Sequence, residues 1–205
     1  MAFSIYQLKS RFQDLLRPTV SLLYQRGVTA NQVTLLAAFI SVAFGTLLFF
    51  NIDTPLFFAF LPLLMLFRMG LNAIDGMLAR EFKQASHLGA YLNELADLIS
   101  DAALYLPFAL LLGVHSELVL AIIFMALLSE YAGVLGPMIG GTRRYDGPMG
   151  KSDRAFVFGC LGLGYALGFF SAGFINLVLL ITLVLLLLTL FNRIRKGIED
   201  ANKPE

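Results

Sequence analysis

The chain has 205 residues, 58% of them hydrophobic and 14% charged, with a mean hydropathy of +0.78. A soluble domain carries about a quarter charged residues, so that class is excluded, and the length leaves one domain with no separate soluble catalytic unit. The net charge of +1 by itself implies nothing about partners, no nucleic acid partner is expected, and the one cysteine, Cys160, excludes an internal disulfide.

The first segment, residues 1–28, reads as an amphipathic helix and a link. Ile5, Leu8, Phe12, Leu15 and Leu16 recur at helical spacing, with Lys9, Arg11, Gln13 and Arg17 between them. A basic amphipathic helix ahead of a span lies in the membrane interface. Pro18 is expected to kink it or end its first half. The start has no long apolar core or small-residue cleavage site, so no signal peptide is expected.

A run of about twenty apolar residues spans a bilayer as a helix. Six such spans are predicted, near 33–51, 55–79, 88–113, 117–139, 154–171 and 174–192, within a bundle over 29–193. The tail, 194–205, is short and solvated. The expected fold is therefore an all-α six-span membrane bundle with an N-terminal interfacial helix. Of the basic residues, only Arg68 falls inside a span, and the links after spans one, three and five have none. By the positive-inside rule both termini are cytoplasmic, and a cell (inner) membrane location follows.

Polar residues inside a bilayer are costly and need a reason. In span two, Asn72, Asp75, Gly76 and Ala79 fall on one helix face, followed by Arg80. In span three, Gly89, Asn93, Asp97 and Asp101 repeat every four residues. The link 81–86 is short, so the two helices are antiparallel neighbours. Asn72 and Asn93 each lie roughly 10 Å from the cytoplasmic end of their span, so the polar faces meet at similar depth. Several oxygen donors from two facing helices suit a hard cation such as Mg²⁺ or Mn²⁺. Such an ion could bridge a diphosphate during phosphoryl transfer. The simpler alternative is that buried Asn and Asp join the helices by hydrogen bonds.

At these residues the sequence resembles the CDP-alcohol phosphotransferases. Their pattern is D-x2-D-G-x2-A-R-x8-G-x3-D-x3-D. Here it reads Asn72-x2-Asp75-Gly76-x2-Ala79-Arg80-x8-Gly89-x3-Asn93-x3-Asp97, with every spacing kept. Thr29-Ala30-Asn31-Gln32-Val33-Thr34 resembles the family's T-P-N-x-x-T at the start of span one, with Ala30 in place of Pro. Asn72 and Asn93 replace the first and third of four aspartates. The resemblance implies that Asn72, Asp75, Asn93 and Asp97 hold Mg²⁺ or Mn²⁺, with Asp97 also the base. It implies that Asn31, Thr34, Asp75, Gly76, Ala79, Arg80 and Gly89 line the nucleotide and diphosphate site.

Two lost charges should weaken metal affinity. Glu94 and Asp101 are candidate compensating carboxylates, reached by a slight rotation of span three. Asp101 is most simply paired with Ser100, Glu130 or Arg68. Between spans four and five, Arg143, Arg144, Lys151 and Arg154 stand among glycines, which suits phosphate recognition. The family similarly places basic residues there for substrate phosphate. The plainer reading is topology plus helix capping by Ser152 or Asp153.

The resemblance implies transfer of a substituted phosphate from a CDP-alcohol, in particular CDP-diacylglycerol, to an acceptor alcohol. CMP is released, within phospholipid biosynthesis, by a homodimer with lipid tails in a groove between helices. A degenerate relative that binds nucleotide or lipid without turnover is the alternative. A small transporter is disfavoured, because no repeat symmetry is visible and the polar residues lie near one membrane face.

Overall fold

A computed structural model describes residues 5–202, with side chains from Phe12 onward. The expected roles of the Ile5, Leu8, Lys9 and Arg11 side chains and of the tail's last residues, from Lys203, lie outside the described residues. Those described form helices and no strand. In chain order these are α1 (Ile5–Gln25), α2 (Ala30–Phe50), α3 (Leu61–Glu81), α4 (His87–Tyr105), α5 (Ser116–Leu135), α6 (Lys151–Ala166) and α7 (Ala172–Ala201). Short 3-10 turns over Pro55–Phe60, Leu106–Leu110 and Gly136–Ile139 precede α3, extend α4 and extend α5.

Four helices are long and apolar enough to cross a membrane: Ala30–Phe50, Pro55–Glu81, Ser116–Ile139 and Ala172–Ala201. They fall on the first, second, fourth and sixth expected spans. The third and fifth expected spans, 88–113 and 154–171, fall on α4 and α6 and do not reach that standard. The reason is composition in one and length in the other. α4 carries Asn93, Glu94, Asp97 and Asp101 within 19 residues, and α6 has 16 residues with Lys151, Asp153 and Arg154 in its first turn. α7 runs beyond the sixth expected span to Ala201, so Arg193, Arg195 and Lys196 are helical. α1 passes through Pro18 without ending.

The chain divides into two compact units. One comprises Met1–Phe44 and Leu64–Ser100, the other Gly45–Leu63 and Asp101–Glu205.

In the first unit, Val20 of α1, Ala30, Val33 and Ala37 of α2, and Leu71, Ile74, Met77 and Leu78 of α3 form a buried core. The turn after α1 closes through Gly27, whose φ of 76° lies in the left-handed region. There Gly27 N–H donates to the Tyr24 carbonyl and Val28 N–H to that of Leu23, the usual way a glycine ends a helix. Thr29 then starts α2 through a reciprocal cap. Its hydroxyl accepts from Gln32 N–H at 3.3 Å, and the Gln32 side chain accepts from Thr29 N–H at 2.9 Å.

In the second unit the packing is aromatic and glycine-rich. Tyr105 stacks on Phe158 at 3.9 Å, and Phe58 meets Phe108 and Tyr165 edge-on, each at 5.3 Å. A Cβ on Gly159 would lie 3.3 Å from Pro62, and one on Gly162 3.0 Å from the Phe58 carbonyl, so α6 approaches that backbone closely. Small residues are how helices pack in lipid, where outward leucines gain nothing by association. Many large apolar side chains do point outward, among them Phe39, Phe50, Leu63, Phe156 and Phe191.

Candidate active site

The first unit brings the motif together. α3 presents Arg68 and Asn72 one turn apart, and both reach Asp97 on α4. Asn72 Nδ2 donates to Asp97 Oδ1 at 3.1 Å. Arg68 Nη2 lies 3.4 Å from the same oxygen and donates to the Asp97 backbone carbonyl at 3.1 Å. Arg68 is buried, while the Asp97 side chain stays 22% exposed.

Asp75 is buried on α3, and its Oδ2 accepts from the Thr34 hydroxyl at 2.7 Å. Thr34 is buried on α2 and also donates to the Ala30 carbonyl at 3.1 Å. Asn31 lies beside Gly89: a Cβ there would be 2.7 Å from Asn31 Oδ1 and 3.1 Å from Ser86 Oγ. Ser86 caps α4 by accepting from Gly89 N–H at 3.0 Å. Arg80 folds its guanidinium back over Gly76, where an added Cβ would meet Nη2 at 3.0 Å. Ala79 turns partly onto the core, and Asn93 and Glu94 are half-buried on α4. The α2 start and the α3–α4 hairpin thus form one polar face.

Two residues of this face escaped the sequence reading. Arg68, four positions before Asn72, stood out as a lone basic residue inside a span and as a candidate partner of Asp101, not of Asp97. Gln84 gave less signal. Its Oε1 accepts from Ala30 N–H at 2.7 Å, tying the α3–α4 link to the start of α2. Proline has no N–H; alanine at position 30 supplies one, and Gln84 satisfies it.

Among the described residues, no group of three or more His, Cys, Asp or Glu side chains is placed to hold a metal. Asp75 and Asp97 bring carboxylates to this face and Asn72 an amide, while Asn93 is half-buried on α4. A divalent ion held by these four would take amide as well as carboxylate oxygen. That donor set fits a hard cation, at reduced charge.

The second unit gathers most of the predicted basic residues differently. Arg154 is buried, its Nη2 donating to Asp101 Oδ2 at 3.0 Å and to Glu130 Oε1 at 3.1 Å. Arg193 reaches Glu130 Oε2 at 3.0 Å and donates to the Ser129 carbonyl. Arg143 is 4.0 Å from Glu130 and lies over the Tyr145 ring. Burial pushes its guanidinium below the usual value. Arg144 pairs with Asp146 at 2.8 Å and Asp200 at 3.2 Å. Lys151 opens α6, and Asp153 caps that helix by accepting from Gly150 N–H at 2.9 Å. Asp101 is thus held by Arg154, while Arg144 and Arg154 are both engaged by carboxylates of the chain itself.

These features define a helical membrane protein with a polar, two-carboxylate face on adjacent helices. Residues 27–194 match the family described as CDP-alcohol phosphatidyltransferase, and the chain belongs to it. It is a phosphotransferase of phospholipid synthesis. It is 47% identical over 192 residues to the inner membrane protein YnbA of Escherichia coli (strain K12), covering 94% of this chain and 95% of that one. It is 28% identical to the phosphatidylinositol phosphate synthase of Streptomyces avermitilis, over 76% of this chain and 64% of that protein. The fold matches that of the Mycobacterium tuberculosis phosphatidylinositol phosphate synthase solved with CDP-DAG bound. The TM-score is 0.72 at 20% identity, over 92% of this chain and 96% of that one. The same enzyme has been solved with manganese and citrate.

Proposed function

We propose that the chain transfers the phosphatidyl group of CDP-diacylglycerol to an acceptor alcohol and releases CMP. The observation that carries this is the fixing of two aspartates on one face: Asp97 by Arg68 and Asn72, Asp75 by Thr34. The CDP-DAG bound by the mycobacterial enzyme of the same fold supports the donor.

In this reading Asp97 is the base. It is the more exposed of the two carboxylates, and α3 holds it in one orientation. It takes the acceptor's hydroxyl proton as that oxygen bonds to the lipid-bearing phosphorus. The bond from that phosphorus to the oxygen of CMP breaks, and CMP departs with the electron pair. Asn31, Thr34, Gly76, Ala79, Arg80 and Gly89 surround the nucleotide and diphosphate. Gly76 leaves room for the Arg80 guanidinium and Gly89 for the Asn31 amide, and Arg80 offers its guanidinium to phosphate. Asn72, Asp75, Asn93 and Asp97 would hold Mg²⁺ or Mn²⁺, and the manganese in the related enzyme supports that ion class. Bound there, a divalent ion would neutralise charge building up on the diphosphate.

Helices α4 and α6 complete six spans, with α1 in the interface, both termini cytoplasmic and the chain a homodimer. The membrane is an inner membrane, the location that YnbA's description gives for that relative. The test is CMP release from CDP-diacylglycerol across a panel of acceptor alcohols. Asp97→Asn should lower it on the order of 10²-fold or more, with the fold kept. Near-normal turnover by that variant would remove Asp97 from the role.

A further inference from the structure

Asp97 is surrounded by donors of the protein itself. Its Oδ1 takes Nδ2 of Asn72 at 3.1 Å, with Nη2 of Arg68 at 3.4 Å, and Arg68 also holds its backbone carbonyl. Both donors come from successive turns of α3. Arg68 is 4% exposed, deep in a helix long and apolar enough to span a membrane, where an unneeded guanidinium would be expensive.

The charge at the four motif positions explains its presence. Asp75 and Asp97 bring two negative charges there, Asn72 and Asn93 bring none, and Arg68, against Asp97, returns one positive charge. A carboxylate in place of the Asn72 amide would stand against Asp97 oxygen, where the amide now donates a hydrogen bond. Asn72 and Arg68 are therefore complementary: each supplies to Asp97 what a bound cation supplies to a carboxylate.

We propose that Arg68 is a built-in counter-cation of the active site. It positions Asp97 and takes over part of the charge balance otherwise met by a divalent ion, so metal binds this face weakly and against its repulsion. Arg68 acts through Asp97 and is a positioning residue. The proposal rests on the reading of the face as a divalent-ion site.

The discriminating measurement is Mn²⁺ binding to the full-length chain in detergent without substrate, followed by the electron paramagnetic resonance of free Mn²⁺. Arg68→Gln keeps a hydrogen-bond donor and removes the charge; Arg68→Lys keeps the charge. Arg68→Gln should bind Mn²⁺ at least about tenfold more tightly than the natural chain, because a like charge has left a partly desolvated site. Arg68→Lys should stay within about threefold of the natural chain, because the charge remains. A purely structural residue gives the opposite sign, since its loss loosens the site and weakens binding. Equal or weaker Mn²⁺ binding by Arg68→Gln overturns the proposal.

Should Arg68→Gln fail to fold, the comparison moves to Asp97→Asn with and without Arg68→Gln, where no buried carboxylate is left unpaired. There, too, removal of Arg68 must tighten binding, and no change overturns the proposal. Asp75→Asn tests the underlying reading separately. If the natural chain's Mn²⁺ binding survives that change, the ion sits elsewhere and the metal-site reading fails. If binding is lost but Arg68→Gln changes nothing, only the role of Arg68 fails.

Discussion

Both units place charge among helices, and they do so in different ways. In the second unit Arg154 and Arg193 have side chains 1% and 2% exposed, and they meet Asp101 and Glu130 at 3.0 to 3.1 Å. Two guanidiniums face two carboxylates, and the cluster is sealed. In the first unit Arg68 meets Asp97 at 3.4 Å, and Asp97 keeps 22% of its side-chain surface. Burying a charge is tolerable only when partners and hydrogen bonds offset the lost solvation. The sealed cluster meets that condition with carboxylates of the chain itself. The looser one leaves a carboxylate within reach of a ligand, which is where chemistry can occur.

The strongest way to break this distinction is to remove a sealed guanidinium. Arg154→Met leaves Asp101 and Glu130 short of their shared partner. We expect a loss of about 3–5 kcal/mol of stability, the usual cost of stranding a buried charge. Thermal unfolding of the detergent-solubilised chain reads it. Asp97→Asn should do the reverse: its amide oxygen can still accept from Asn72 and Arg68 still holds the backbone carbonyl, so activity is lost at a much smaller cost in stability. If Arg154→Met melts with the natural chain, the second cluster is not structural and the contrast collapses.

The same contrast explains what the sequence could and could not show. The motif spacing from Asn72 to Asp97 places its residues on facing helices, because helix periodicity and a short link are local facts. Thr34 bonds to Asp75 and Asn31 lies beside Gly89, contacts between α2 and the α3–α4 hairpin that local spacing does not show. The fate of Arg144 and Arg154 was not legible. Glycine-flanked basic residues look alike whether or not carboxylates engage them. Asp146 and Asp200 engage Arg144, and Asp101 and Glu130 engage Arg154, which only the packing shows. Six apolar segments were legible, but the two that carry polar residues or are shortest fall outside the composition of a plain span. Arg68 was conspicuous as a charge, yet only the α3–α4 register shows that it meets Asp97.

A smaller effect tests the first unit without touching a charge. Gly89→Ala places a Cβ 2.7 Å from Asn31 Oδ1. The obstacle is the end of a side chain, so Asn31 can turn away and stability should fall by less than about 1 kcal/mol. If Asn31 and Gly89 line the nucleotide site, the KM for CDP-diacylglycerol should rise severalfold with kcat little changed, as loss of uniform binding requires. Steady-state CMP release as a function of donor concentration measures this. A fall in kcat with KM unchanged would place the pair in the chemical step instead.

The smallest effect comes from a third arrangement of charge, the exposed one. Asp146, in the segment between α5 and α6, accepts from Lys196 at 2.9 Å and from Arg144 at 2.9 Å. The Lys196 hydrogen bond, followed by the bond and charge of Arg144, holds its carboxyl below the usual range. A carboxyl depressed on folding stabilises the fold above its ordinary pKa, and that contribution is lost as pH falls through the lower, folded value. The window therefore opens below about pH 4. Lys196 is 50% exposed, so water and salt screen the pair and the contribution should stay under about 1 kcal/mol. Between pH 6 and pH 3 the natural chain should lose more thermal stability than Asp146→Asn, with the excess confined to the acid end. Raising the salt concentration should shrink that excess, because exposed pairs are screened, while the cost of Arg154→Met should barely move. Parallel acid profiles for the two chains would show that Asp146 holds nothing. A salt-sensitive Arg154 effect would show that the Asp101–Glu130–Arg154–Arg193 cluster is open to solvent, which would remove the sealed side of the comparison.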